Sequence, residues 1–411
     1  MTKKILGIIF CMLLASSMLI ACDTNTPPPP TVTLTGTSEA LPDPSSTPIP
    51  PTETATTTST PSATLPPTNT PTPAVYGPNN YPANINPLTG LAVESSLLDR
   101  RPVAIKINIV PRSSNRPPWG LSLADIVYDY YHNAGYTRFH AIFYGQDSEL
   151  VGPIRSARLL DHELIQMYKS VFAYGSADQE VNKYILNSYY SNQVVLEGKR
   201  SDCPPTDENP MCRYEPSGSD FLLAGTAELS AHITDKGVEN GRQNLSGMSF
   251  NPTTPPNGTP ASQVFLRYSG DDYRRWDFDA STGKYLRFQD NFYDQGEGEQ
   301  YAPLTDRVND QQITTDNVVI LVARHLYVQQ PPNEIIQINL AGSGVAYAFR
   351  DGQAYKVTWN RPAPDSVLYL TNADGTAFPF KPGNTWFMVV GESSVVEQLE
   401  NNTWRFTNKL P

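Results

Sequence analysis

Three hydrophobic patterns follow one another along the chain. From Ile5 to Ile20 the residues are apolar, interrupted by little more than Ser16 and Ser17. From Asp23 to about Ala74 apolar residues nearly vanish and Pro, Thr and Ser dominate. Such a stretch has too little apolar surface to offset the entropy of ordering, which predicts an extended, disordered tether. Periodicity begins near Tyr81. Pro102 to Ile109 reads as a strand with Val103, Ile105 and Ile107 on one face, a short segment from Ser122 runs into Ile126-Val127-Tyr128, and Arg138 to Tyr144 alternates Phe139, Ala141 and Phe143. Leu160, Leu164 and Met167 then recur at helical spacing, predicting a helix over about 157–168. Val181, Tyr184, Ile185 and Tyr189 mark a second, opened by Ser176 with Gln179 three residues on, the spacing of a capping box. A third helix is expected over 220–232. Interleaved strands and helices argue for an α/β or α+β layer structure.

Residues 247–261 are rich in Pro, Asn and Thr and read as a linker. Beyond Ser262 the period becomes two. Val264 to Tyr268, Tyr285 to Phe288, Val318 to Val322, Val345 to Phe349, Tyr355 to Trp359 and Trp386 to Val390 all read as strands. Turn signals stand among them at Ser281-Thr282-Gly283, Asp351-Gly352, Asp374-Gly375 and Pro382-Gly383. The expected organisation is a signal peptide (1–21), a tether (22–78), an α/β domain (79–246), a linker (247–261) and a β-rich domain (262–411).

The N-terminus adds an address. Lys3 and Lys4 precede the apolar run, which ends in Leu19-Ile20-Ala21-Cys22, an order that resembles a bacterial lipobox. The resemblance implies cleavage before Cys22, lipidation of its thiol with palmitate-type chains, and anchoring on the outer side of the cytoplasmic membrane. A plain secretory signal or a retained helix would carry the same hydrophobic run, but this one is short for a span and its flanks fit cleavage. As a flexible coil of roughly 50 residues the tether would reach about 40 Å.

Charge narrows the partners. The formal net charge is −11, and removal of Lys3 and Lys4 would make it more negative. No basic stripe is present, so no nucleic-acid partner is expected. Of four cysteines, Cys11 lies in the signal and Cys22 at the lipid site; Cys203 and Cys212 remain. In an exported protein they are expected to form a disulfide worth about 2–3 kcal/mol. Half a metal site is the rival reading, and no neighbouring histidine or second cysteine pair supports it.

The best chemical candidate is Gly152-Pro153-Ile154-Arg155-Ser156-Ala157-Arg158. Gly and Pro make a turn and Ser156 is placed to cap the helix that follows. Two arginines at a helix N-terminus oppose its dipole, an arrangement that makes sense if an anion sits there between backbone N–H groups and guanidinium forks. The alternative is that Arg155 and Arg158 pair with Asp125, Asp129 or Asp161 inside the domain. Arg138 and His140 share one strand face and would add a cation and an imidazole, or simply form a solvated face. Asn108, Arg112 and Arg116 follow the first strand, where α/β folds often place ligand contacts. Tyr128, Tyr130 and Tyr131, or Tyr189 and Tyr190, are either a glycan-stacking surface or packed rings with exposed hydroxyls. The sequence contains no hydrolase elbow, zincin helix, phosphate loop or dinucleotide fingerprint, and the five histidines show no metal-ligand spacing. No cofactor or metal is expected, and no catalytic residue is assigned.

Three strings, Asn86-Pro87-Leu88-Thr89-Gly90, Leu121 to Tyr128 and Val151 to Arg158, with Thr137-Arg138-Phe139, make this part of the chain resemble the YerB-like family of bacterial lipoproteins. Farther on, Asp316-Asn317-Val318-Val319, the stretch from Asp351-Gly352 to Trp359, and Pro382 to Trp386 extend the resemblance to about Gly391. It implies an envelope location and a two-domain architecture, and no reaction. Together these readings predict a lipid-anchored extracytoplasmic binding module for an anionic envelope ligand or a partner protein. Its site would draw on Arg155, Ser156, Arg158, Arg138, His140 and Asp125. The alternative is a hydrolase or transferase acting on phosphate-linked envelope polymers or lipids, with Asp125 or His140 moving protons.

Overall fold

A computed structural model describes residues 74–214 and 221–411. The signal peptide, Cys22 and most of the tether lie outside the described residues.

The α/β character of the first half and the β-rich character of the second are both present, and one sheet runs through the two. The first half supplies strands β1 (Val103–Ile107), β2 (Ile126–Asn133), β3 (Tyr136–Phe143) and β4 (Val171–Ala173), and helices α1 (Arg112–Asn115), α2 (Leu159–Tyr168), α3 (Gln179–Leu186) and α4 (Thr226–Asp235). β3 pairs antiparallel with both β1 and β2, and β1 pairs parallel with β4. The seam with the second half is parallel. Thr385–Gly391 lies between β2 and Asn317–Gln329, with Tyr128 opposite Phe387. Hairpin strands Gly342–Arg350 and Gln353–Arg361 extend this twelve-stranded sheet. Their two-residue connection, Asp351-Gly352, has positive φ at both positions (52° and 69°), the geometry that suits the right-handed twist of the strands.

Both faces of the central strands are covered, so β1 is buried at all five positions rather than on one face. One face meets α2. Against the other lies a seven-stranded sheet that contains Gln263–Arg267, Tyr273–Asp279, Lys284–Asp290 and Thr403–Thr407. Trp276 of that sheet packs edge-on to Trp386, ring centroids 5.2 Å apart, and Phe139 meets Trp386 at the same distance. Within this apolar layer Asp129 Oδ2 accepts from the guanidinium groups of Arg274 and Arg287 (Nη2 at 3.1 Å), and Arg274 also donates to Asp272. All four side chains are almost completely buried.

The 247–261 stretch runs along the sheet: Phe250 bridges Tyr76 and Phe380, and Thr259–Pro260 pairs with Gln353–Ala354. The strings that carried the family resemblance meet here too. Gly383 N–H donates to the Thr89 carbonyl at 2.8 Å, Thr385 N–H to the Asp125 carbonyl at 3.0 Å, and Asn86 Nδ2 to Asp125 Oδ1 at 3.1 Å. They lock the two halves together.

Two helix starts differ from expectation. Residues 222–224, expected in a helix, form a strand against Met211–Arg213, and α4 begins after Gly225. The local signal for this was Gly225 itself, a poor interior helix residue. Asp178 rather than Ser176 caps α3, accepting from Glu180 N–H at 2.9 Å. Cys203 and Cys212 form the expected disulfide.

Candidate functional site

The turn before α2 is pinned on three sides. Ile154 N–H donates to the Leu222 carbonyl at 2.7 Å, Arg155 N–H to the Lys106 carbonyl at 3.0 Å, and Gly175 N–H to the Arg155 carbonyl at 3.1 Å. Gly152 is required by close approach: a Cβ there would stand 2.7 Å from the Leu223 side chain and 2.8 Å from the Leu222 carbonyl. This framework fixes the chain direction at Ser156.

Ser156 does not cap α2. Its hydroxyl pairs with that of Ser176 at 2.8 Å, and the helix begins after Arg158. The residue that serves the helix start is Asp161, whose Oδ2 accepts from Arg158 N–H at 2.6 Å. A carboxylate already occupies the N-terminal end of the helix, so the expected anion cradle of backbone N–H groups is not what this turn offers. What it offers is side chains.

Arg138 and Arg158 converge on one carbonyl. Arg138 Nη1 donates to the Ser156 oxygen at 2.9 Å, and Arg158 Nη1 reaches the same oxygen at 3.5 Å and that of Ala157 at 2.8 Å. Arg158 Nη2 faces His132 Nδ1 at 3.2 Å, which requires that nitrogen to be the acceptor. Both arginines are partly buried, and among the described residues neither has a carboxylate within ion-pair distance. Arg138 Nε is buried without a partner. Burial, then repulsion from Arg158 and Arg155, pulls the Arg138 guanidinium down to about 9. Arginine holds its proton far more firmly than other bases, so such stress is relieved by an anion rather than by deprotonation.

The ion pairs offered as the alternative are not formed by Arg158, because each named aspartate is engaged elsewhere. Asp125 accepts from Asn86, Tyr144 N–H and Gly145 N–H at the far end of β2, where burial pushes its carboxyl up to about 6. The structure therefore does not bring Asp125 to the arginines. Asp129 holds Arg274 and Arg287. Asp161 Oδ1 takes three donors: Tyr130 hydroxyl at 2.5 Å, His140 Nδ1 at 2.8 Å and Lys106 Nζ at 3.2 Å. Burial raises the Asp161 carboxyl, but Lys106, His140 and Tyr130 outweigh it and hold the group below the usual carboxylate range. Lys106 lies 3.9 Å over the Tyr130 ring, and burial brings its ammonium down to about 7. His140 stacks on Phe172 and is completely buried, as are Lys106 and Asp161, so it stands behind the arginines and not among them. Burial, followed by repulsion from Arg138 and Arg158, keeps His132 neutral well below its ordinary value. Arg155 is half buried and lies near Arg213, which lowers its pKa after burial does. Arg112 and Arg116 bind Asp290 at 2.6 and 3.1 Å and dock the second sheet, so the loop after β1 is structural.

Lys106, Tyr130, His132 and Asp161 complete the site, and sequence reasoning did not select them for it. The available signal was Lys106 itself, a charge inside an otherwise apolar five-residue strand.

Fold and site define a class: a mixed-sheet protein whose two halves complete one sheet, with a cationic turn at a helix start. Two family models match, described as protein of unknown function (DUF3048) N-terminal domain over residues 88–237 and its C-terminal domain over residues 264–387. The chain belongs to this family. It is 27% identical over 312 residues to "Putative lipoprotein YerB" of Bacillus subtilis (strain 168), covering 74% of this chain and 85% of that protein. The crystal structure of YerB protein from Bacillus subtilis matches with a TM-score of 0.61 at 25% identity, covering 74% of this chain and 96% of that one. Among the described residues no helix is long and apolar enough to cross a membrane, and no group of three or more His, Cys, Asp or Glu is placed to hold a metal.

Proposed function

We propose that the protein is a lipid-anchored, extracytoplasmic binding module whose Arg138–Arg158 turn takes an anionic group, phosphate or carboxylate, of an envelope ligand or partner protein. The observation that carries this reading is the convergence of two partly buried guanidinium groups on the Ser156 carbonyl with no carboxylate partner among the described residues. Beside them His132 is neutral and accepts from Arg158, and Lys106 is held by Asp161, so neither supplies a counter-anion to the guanidinium pair. A bidentate guanidinium pair selects planar or tetrahedral oxyanions. The hydrolase reading gains less support, since Lys106, His140 and Asp161 are sealed from solvent.

Titrating the protein with phosphate, pyrophosphate and anionic wall fragments should raise its melting temperature. Arg138→Ala/Arg158→Ala should remove that rise while the variant still unfolds cooperatively. An equal rise in the variant would place the anion elsewhere. The address is tested separately. The Leu19-Ile20-Ala21-Cys22 string supports an anchor at Cys22, so Cys22→Ala should move the protein from the membrane fraction to the soluble fraction. Continued membrane association would overturn the anchor.

A further inference from the structure

A second concavity lies beside α2, about one helical turn on from Arg158. It measures about 380 Å³, within the usual range for small-molecule sites (about 300–1,000 Å³). Leu159, His162, Glu163 and Gln166 line it from α2, Tyr184 from α3, and Arg361 with Pro362 to Pro364 from the end of Gln353–Arg361. Both family segments thus build its walls.

Its chemistry differs from that of the arginine turn. Glu163 Oε2 accepts from Arg361 Nη1 at 2.7 Å and from Leu340 N–H at 3.3 Å; Arg361 Nη2 also donates to the Pro364 carbonyl at 2.6 Å. Carboxylate and guanidinium cancel each other's charge and are held in place. Tyr184 and His162 of its wall begin a row of aromatic rings that continues beyond it. Tyr184 meets His162 at 6.0 Å, His162 meets Tyr190 at 5.7 Å, and Tyr190 meets Tyr189 at 5.3 Å. The two ends of the row face solvent: Tyr184 is 55% and Tyr189 74% exposed. The inner pair is fixed by a 2.5 Å hydrogen bond between Tyr190 hydroxyl and His162 Nδ1.

We infer that this groove binds an oligosaccharide. Sugar rings present an apolar C–H face that lies on an aromatic ring, and an edge of hydroxyls that pair with carboxylate, guanidinium and amide groups. The groove offers both: the Tyr184 ring, and Glu163, Arg361, Gln166 and Gln337. Its balanced charge disfavours an ion as the principal ligand, and the fixed Glu163–Arg361 pair in its wall disfavours a lipid tail. The site stands independently of whether the arginine turn holds an anion.

The test is calorimetric titration of the full chain with chitohexaose and with cellohexaose. Binding of either is expected, and Tyr184→Ala should weaken it roughly two- to tenfold, the scale of one lost aromatic contact in a formed site. Gln166→Ala should weaken it several-fold. Tyr184 is exposed, so its variant should melt with the parent, which keeps the comparison clean. Saturating inorganic phosphate should leave the sugar titration unchanged. No heat with either oligosaccharide, or equal affinity in parent and Tyr184→Ala, would overturn the inference.

Discussion

Asp129→Ala is expected to lower folding stability by about 3–5 kcal/mol, the cost of leaving buried charge without its partner. Asp129 Oδ2 is the shared acceptor for Arg274 and Arg287, and both guanidinium groups are fully buried. Burial lowers Arg287 to about 10 even with Asp129 in place. Removing the carboxylate strands Arg287 between the rings of Trp276 and Trp386, 4.9 and 4.7 Å from its guanidinium carbon. Arg274 retains Asp272 and suffers less. The loss falls at the junction of the two sheets, where those tryptophans pack against each other. Urea unfolding followed by tryptophan fluorescence reads the effect where it occurs. Asp129→Asn should cost less, since an amide oxygen still accepts from one arginine. A loss below about 1 kcal/mol for Asp129→Ala would mean that solvent reaches the pair, contrary to the burial of the network.

The second large effect concerns Asp161 and carries a pH signature. Asp161→Ala should also cost about 3–5 kcal/mol near neutral pH, because Lys106 loses its one carboxylate contact among the described residues and Tyr130 and His140 lose their acceptor. Lys106 already sits near 7 against an ordinary value of 10.5. Without Asp161 it falls further and is neutral in the folded protein at pH 7. The unfolded chain keeps that proton, so it binds more protons than the folded state and stability rises with pH, by up to about 1.4 kcal/mol per unit. In the parent this rise begins only near pH 7; in Asp161→Ala it should begin below that. The carboxylate acts in the same sense, over a more acidic range. Its folded pKa is depressed, so its contribution is present above the unfolded value and is lost as the pH falls toward the folded one. Asp161→Ala lacks that acid-side loss. Urea midpoints at pH 6 and pH 9 should therefore converge toward the parent at the higher value. A penalty independent of pH would mean that Lys106 stays charged throughout.

The sequence was informative wherever a signal was local. Six strands of the second half lay where period-two patterning placed them, Asp351-Gly352 closed its hairpin, and Cys203 met Cys212. Pairing across the chain was not legible. Nothing in the run Trp386 to Val390 says that its neighbour is β2, some 260 residues earlier, because parallel pairing leaves no turn between partners. The same blindness hid the site. Alternation in β1 assigned Val103, Ile105 and Ile107 to the core and left Lys106 outside, yet a second layer covers that face. The arginines of the turn were legible as chemistry. Their contacts were not, since Ser156 and Asp161 are equally plausible helix-start residues by type and only the chain path decides between them.

Arg138 and Arg158 are proposed to form an anion site. The most direct measurement is a crystal structure grown with tungstate, located by its anomalous scattering. A single strong peak is expected within hydrogen-bond reach of both guanidinium groups, lost in Arg138→Ala/Arg158→Ala. Density bound elsewhere, or none at the turn while the arginines keep the Ser156 carbonyl, would contradict it.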